Sequence, residues 1–223
     1  MKRIIILLVA ALMVGTTVNA QSSKELRKER QVISKMSKSE LNQKASKAAR
    51  KEAKLLQKEG WLIAPGTLPL EKQLDRSYMM QMEYNTDMFP KYIMAEAMSI
   101  GTNYDAAKMQ TFELAKQNLA GQIQTEITAL IENTVANEQL EAEQAASITR
   151  SVMSAKNLIS QSIGRVVPVV EVYRTKTNKN KEVLVRIAYN SDMAKKAALK
   201  AVKQDLEKRG DDLHNKLDGL LGW

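Results

Sequence analysis

The chain has 223 residues, no cysteine and a formal net charge of +9. That length holds one domain with a sizeable core plus an appendage, and the missing cysteines exclude disulfide staples, thiol chemistry and thiolate metal sites. The charge is uneven: residues 21–59 carry 12 basic and 5 acidic side chains, while residues 60–223 carry 20 of each.

Lys2 and Arg3 lead into an apolar run from Ile4 to Val14, followed by Gly15 and the small-residue pattern Val18-Asn19-Ala20. This is the layout of a secretory signal peptide over residues 1–20, with an apolar middle too short to span a bilayer. It predicts an exported protein, in the periplasm or peripheral to the outer membrane of a Gram-negative bacterium. Residue 21 is Gln21, so the position after the cut cannot carry the lipid of a bacterial lipoprotein. No later run approaches the length of a membrane helix, and the mature chain is expected to be soluble or peripherally bound.

Residues 21–59 are rich in Lys, Glu, Gln, Ala and Leu without Gly or Pro, which predicts one extended basic helix from about Ser23 to Glu59, stopped at Gly60. Lys47, Lys51, Lys54 and Lys58 share a narrow arc of the helical wheel, and Ala45, Ala49, Ala53 and Leu56 fall opposite. These four lysines are the candidate contact with an anionic surface. A solvated arm packed loosely on its own domain and a partner helix are the competing readings. The first half lacks a sustained heptad, since Leu26, Ile33 and Met36 are followed by Glu40. Nucleic acid is not expected, because the protein is exported and the segment has no aromatic residue for base stacking. Phospholipid or lipopolysaccharide phosphates suit both charge and compartment. The alanine stripe is too thin to insert deeply, so such a contact would be electrostatic and salt-sensitive.

From Gly60 the composition changes. Nine of the ten aromatic residues fall between Trp61 and Tyr189, marking residues 60–190 as the folded core domain. Trp61-Leu62-Ile63-Ala64 reads as a short strand closed by Pro65-Gly66. Leu70 to about Glu83 reads as a helix with Leu70, Leu74 and Tyr78 on one face, and Met79, Met80 and Met82 beside them as gap-filling core. Phe89 to Ile100 is β-prone and ends at Gly101. Thr102 and Asp105 have capping-box spacing before a long central helix from Asn103 to Asn137. Its face runs through Phe112, Ala115, Leu119, Ile123, Ile127 and Leu130, a period suited to packing on something flat or grooved. Between Asp105 and Glu143 seven acidic residues outnumber Lys108 and Lys116, making this an acidic flank and an alternative target for the basic helix. Gly121 is read as a place where another backbone comes close.

A second helix, about Glu138 to Ser162, keeps Ile148, Val152, Ala155 and Ile159 in register. After Gly164 the period falls to two. Arg165 to Thr175 is a strand, Thr177 to Asn180 a polar turn, and Val183, Val185, Ile187 and Tyr189 face one way along the next strand, making a β-hairpin. Pro168 cannot donate to a ladder, so its strand must be an edge or bulged there. In the C-terminal segment, residues 191–223, Asn190 or Ser191 caps a helix with Ala194, Ala198, Ala201 and Leu206 inward. Arg209-Gly210 closes it, and a last amphipathic turn or two leads to Trp223. The fold class is therefore α+β, a small antiparallel sheet packed by long helices and preceded by an extended basic N-terminal helix.

Lys91-Tyr92-Ile93 leading to a small-residue strand and Gly101, then Ala107 and the run Ala115-Lys116-Gln117-Asn118-Leu119-Ala120-Gly121-Gln122-Ile123, resembles the core of the Helicobacter small conserved lipoprotein (Lpp-twenty) family. The hairpin with Val166 to Tyr173 and Val183 to Tyr189 looks like that family's closing strands. The likeness covers residues 89–190, and the same domain recurs at the front of a flagellar basal-body assembly protein. Glu59-Gly60-Trp61 and Leu68-Pro69-Leu70-Glu71-Lys72-Gln73-Leu74 are similar to exported proteins of Bacteroidales. The resemblance implies a small α+β envelope domain without catalysis; the lipid anchor does not carry over, since the cysteine is missing.

No reaction chemistry emerges from the residues. The one histidine, His214, reads as a solvated helix residue, Ser and Thr lack a nucleophile-elbow pattern, and no glycine loop could cradle phosphate. Glu138, Glu141 and Glu143 read as solvated surface. No cofactor, metal or catalytic residue is expected. The expected function is a non-enzymatic binding or assembly module of the cell envelope, contacting anionic components or a protein partner, with self-association possible. The alternative is a periplasmic enzyme acting on glycans through carboxylates of differing environment.

Overall fold

The computed structural model describes residues 25, 27–32, 34–36, 38–39, 41–86, 88–136 and 141–210. The expected signal peptide over residues 1–20, Glu138, His214 and the expected last turns toward Trp223 lie outside them. The chain divides into two units at Lys44/Ala45. In the first, the described residues between 25 and 42 are helical and exposed.

The second unit is built on the predicted hairpin. β3 (Val167–Thr175) turns through Lys179, at φ 67°, into β4 (Lys181–Asn190), with Lys176 N–H donating to Asn180 O at 2.9 Å. β2 (Tyr92–Gly101) adds to the far side of β4 and β1 (Leu62–Ile63) to the far side of β3, giving an antiparallel sheet in the order β1-β3-β4-β2. The register slips between Pro168 and Val170. β1 pairs with Val172 and Tyr173, so Pro168 sits at a stretch that is bulged and, among the described residues, has no strand on its outer side, where its missing N–H costs no ladder bond.

Alternation along the strands sends two sets of side chains to opposite faces. Ile93, Ala95, Val183, Val185, Ile187 and Tyr189 enter the larger core, whereas Val170, Val172 and Leu184 enter a second. The larger core is roofed by α3 (Tyr104–Ala136), α4 (Ala142–Ser154), α5 (Lys156–Ser162) and α6 (Ser191–Lys208). The second face is covered by α1 (Lys47–Lys58) and α2 (Leu70–Gln81).

α3 buries Ala107, Thr111, Ala115, Leu119, Ile123, Ile127 and Ile131. Each step of four advances about 40° past a full turn, so the stripe winds around the helix. The small residues at its start let it lie close on the sheet: a Cβ at Gly101 would stand 2.6 Å from Ala107 N. The large residues at its end meet α4 and α5. Phe112 is only half-buried, because the stripe runs through Thr111, whose hydroxyl lies 2.7 Å from Ala107 O and 3.3 Å from Val183 O.

Several local expectations are corrected. The capping residue of α3 is Asn103, whose Oδ1 accepts from Ala106 N at 2.9 Å, not Thr102. Gly121 faces the Lys156 side chain at ordinary contact distance rather than another backbone. The helix after α3 is broken at Ala155; Ile148, Val152, Ala155 and Ile159 nevertheless stay buried, and Gln124 Nε2 donates to the carbonyls of Val152 and Met153, released at the break, at 2.7 and 2.9 Å. β2 begins at Tyr92, leaving Phe89 in a loop. Of the three methionines only Met80 is buried. Asn190 caps α6 as expected, accepting from Met193 N at 3.1 Å, and Ala194, Ala198, Ala201 and Leu206 are buried.

Candidate functional site

The basic segment is not one continuous helix. Helix is interrupted at residues 43–46, where Ser46 starts α1 afresh: its hydroxyl accepts from Ala49 N at 3.2 Å and its own N–H donates to Asp75 Oδ1 at 2.9 Å. A serine that can bond the backbone locally favours such a cap over helix interior. Ala45, just before the cap, and Ala49 and Ala53 of α1 pack against Trp61, Leu70, Leu74, Val170 and Val172, and Tyr78 OH donates to Glu52. The packing boundary therefore falls at Ala45 rather than Gly60. The small methyl groups of Ala49 and Ala53, with half-buried Leu56 beside them, let the helix sit close to α2 and the sheet.

Lys47, Lys51, Lys54 and Lys58 all remain exposed on the outer side. At 100° per residue they lie within an arc of about 60° and span roughly 16 Å. Among the described residues no salt bridge engages them. Four hydrated ammonium groups in a row attract phosphate or carboxylate oxygens without demanding a particular geometry. Near an anionic bilayer each contributes about 1 kcal/mol, a pull that salt screens.

The acidic flank does not form a matching stripe. Asp105, Glu113, Glu126 and Glu132 are exposed at scattered positions around α3, and Glu113 is engaged by Lys116 at 3.3 Å. α3 and α1 lie on opposite faces of the sheet, so within this unit the α1 lysines do not meet it.

Two buried carboxylates escaped the sequence reading. Glu171 points to the α3 side, where it accepts from Tyr104 OH and pairs with Lys108 Nζ at 2.6 Å. Desolvation and the adjacent Glu171 push the Tyr104 pKa above its ordinary value, so the hydroxyl stays a donor. Glu182 points to the other face, held by Arg174 Nε at 2.5 Å and Lys176 Nζ at 3.5 Å, while the Arg174 guanidinium stacks over Trp61 at 4.4 Å. The hairpin register places Arg174 opposite Glu182, a cross-strand charge pair legible once the turn at Thr177–Asn180 is fixed. With the sheet between them, these two carboxylates do not form one site. A shallow depression lined by Ile131, Glu132, Ala145, Ala146, Thr149 and Arg150 holds a single carboxylate. Among the described residues no three His, Asp or Glu side chains converge as a metal site, and no helix is long and apolar enough to cross a membrane. No protein-family model, no curated protein and no solved structure matches the chain.

Proposed function

We propose that this is a non-enzymatic, exported protein of the cell envelope, a binding or assembly module that meets anionic envelope components through the outer face of α1. The observation that supports it is the row formed by Lys47, Lys51, Lys54 and Lys58, exposed on a helix fixed to the domain by its alanine face. A helix anchored this way presents its charges on a firm base, so little side-chain and backbone order is lost on contact beyond the lysines themselves. The kinship with the Helicobacter small lipoprotein family belongs to the same proposal, since it supplies the envelope setting. Fractionation of cells expressing the full chain tests it. The mature protein should sediment with envelopes at low salt and be released at high salt, and crosslinking before release should capture its neighbour. Recovery of all the protein in the soluble fraction at low salt rejects the surface contact, and recovery in the cytoplasm rejects the export.

A further inference from the structure

The two edges of the sheet are finished differently. On one, β3 carries Pro168, a register slip and the short cover of β1, devices that keep an edge from pairing further. On the other, β2 pairs with β4 along its whole length without a slip and holds no Pro, Lys or Arg between Tyr92 and Gly101. Among the described residues no strand lies on its outer side. Its single charge, Glu96, is tied to Arg186 at 2.7 Å.

Two bonds show which backbone groups of β2 face outward. Ser191 N–H donates to Lys91 O at 2.9 Å, in line with the β2–β4 register, so odd-numbered residues turn toward β4. Asn118 Nδ2, from α3, donates to Glu96 O at 2.9 Å, so even-numbered residues, Met98 and Ile100 among them, turn their N–H and C=O away from β4. Asn118 occupies the Glu96 carbonyl; beyond it, the outer groups of Met98 and Ile100 are open among the described residues. The side chains flanking this open stretch carry no charge. Met98 and Ile100 are 50% and 47% exposed, on the face shared with Leu184. On the opposite face Ala106, Gln110, Leu114 and Gln117 follow the Asn118 side of α3 in steps of three and four, and all are exposed. A two-fold axis brings each group near its own copy, so a charged flank would repel itself, whereas apolar and amide groups do not.

We propose that the β2 edge pairs antiparallel with β2 of a second copy of this chain, joining the two sheets into one. With the axis at Ser99, Met98 of each copy lies opposite Ile100 of the other. These pairs exchange N–H···O bonds through the groups that are open, Asn118 keeps Glu96 O, and Met98 and Ile100 of both copies close over one another. The same axis turns the Leu114 flanks of the two α3 helices toward each other, a contact that a lone foreign strand would not supply. The two-fold of an antiparallel pair stands perpendicular to the sheet, so the α1 helices of both copies face the same way. Resting on the α1 contact proposed above, the dimer makes that contact bivalent.

Sedimentation velocity of the mature chain, with no anionic surface present, tests the pairing. The mass should rise toward twice the monomer's between about 1 and 100 μM, the range of a contact of modest area. Met98→Lys, at a half-exposed position, should keep the parent's circular dichroism and weaken the dimer about tenfold or more. The chain has no cysteine, so Ser99→Cys introduces the sole thiol; mild oxidation should link two copies across the axis, where Leu55→Cys on α1 should not. A parent that stays monomeric at the upper concentration refutes the pairing, as does a dimer that Met98→Lys leaves intact or that Ser99→Cys fails to link. A monomer whose crosslinked envelope neighbour is lost in Met98→Lys has a foreign strand at this edge, which equally overturns the second copy. If Met98→Lys alters the circular dichroism, the Ser99→Cys link decides. In envelope fractionation Met98→Lys should be released at lower salt than the parent, and equal release overturns the bivalent role. Loss of the α1 contact would leave the sedimentation result untouched, so the two readings fail separately.

Discussion

The two faces of the sheet are covered by different means. Beneath α3, α4, α5 and α6 lie Leu119, Ile123, Ile131, Ile148, Ile159 and Leu206, all essentially inaccessible, and the apolar area removed from water there supplies most of the unit's stability. The face under α1 and α2 is roofed partly by alanine, with Trp61 buried and Tyr78 half-buried against it. Toward β2 that face stays open, with Met98 and Ile100 about half exposed. One face is built for holding the fold; the other trades depth for charged and apolar groups facing outward. The difference shows that a helix can be part of a core through methyl groups and still offer nearly all its long side chains to a partner.

The comparison is broken first on the deep side. Leu119→Ala leaves a cavity where α3 passes from sheet to helices, and should lower the unfolding free energy by roughly 2–5 kcal/mol in denaturant titration. On the lighter side, Arg174→Ala removes the stack on Trp61 and leaves Glu182, 4% exposed, with Lys176 as its remaining cation. A loss of about 1–3 kcal/mol is expected, less if Lys176 moves in, and Arg174→Ala/Glu182→Leu should recover part of it. Ser46→Ala removes the cap of α1. It should cost about 1 kcal/mol, and hydrogen exchange should localise the added opening to residues 47–58 while α3 keeps its protection.

Tyr104→Phe sharpens the contrast through pH. The folded Tyr104 holds its proton above the usual tyrosine range, so its contribution is present below about pH 10, the unfolded value, and declines as pH rises beyond it. The variant should be about 0.5–1.5 kcal/mol less stable than the parent at neutral pH, with the gap narrowing in alkaline titration. Replacing Lys47, Lys51, Lys54 and Lys58 together by Gln should change stability least, within about 0.5 kcal/mol, while abolishing the salt-sensitive part of envelope binding. A large stability loss in that variant would show that the lysines hold the fold rather than a partner.

Periodicity made the elements legible. The hairpin follows from alternation through Val183, Val185, Ile187 and Tyr189 around a polar turn, and the Ala194, Ala198, Ala201 and Leu206 face of α6 from a period near 3.6; burial obeyed both. What periodicity missed were interruptions that leave the apolar register intact. Ala155 bends a helix without moving Ile148, Val152 or Ile159 out of the core, so nothing in their spacing announces it. Ser46 looks like one more polar helix residue until Asp75, 29 positions away, accepts its N–H. The methionines at 79, 80 and 82 are alike in hydropathy, and only the placement of α2 on Val169 and Ala188 decides that one is inside and two are outside.

By itself the sequence determined the α+β class, the hairpin, the caps near Asn190 and Gly60, and the clustering of cations before residue 60, because these depend on local backbone preference and on side-chain period. The tertiary structure alone decided that the alanine stripe of α1 is core while its lysines are surface. It also put Glu171 and Glu182 on opposite sides of the sheet and the acidic helix away from the basic one. Those outcomes depend on which faces meet across long stretches of chain, and that is settled by the joint burial of apolar area and the pairing of buried charge, which no short window of residues contains.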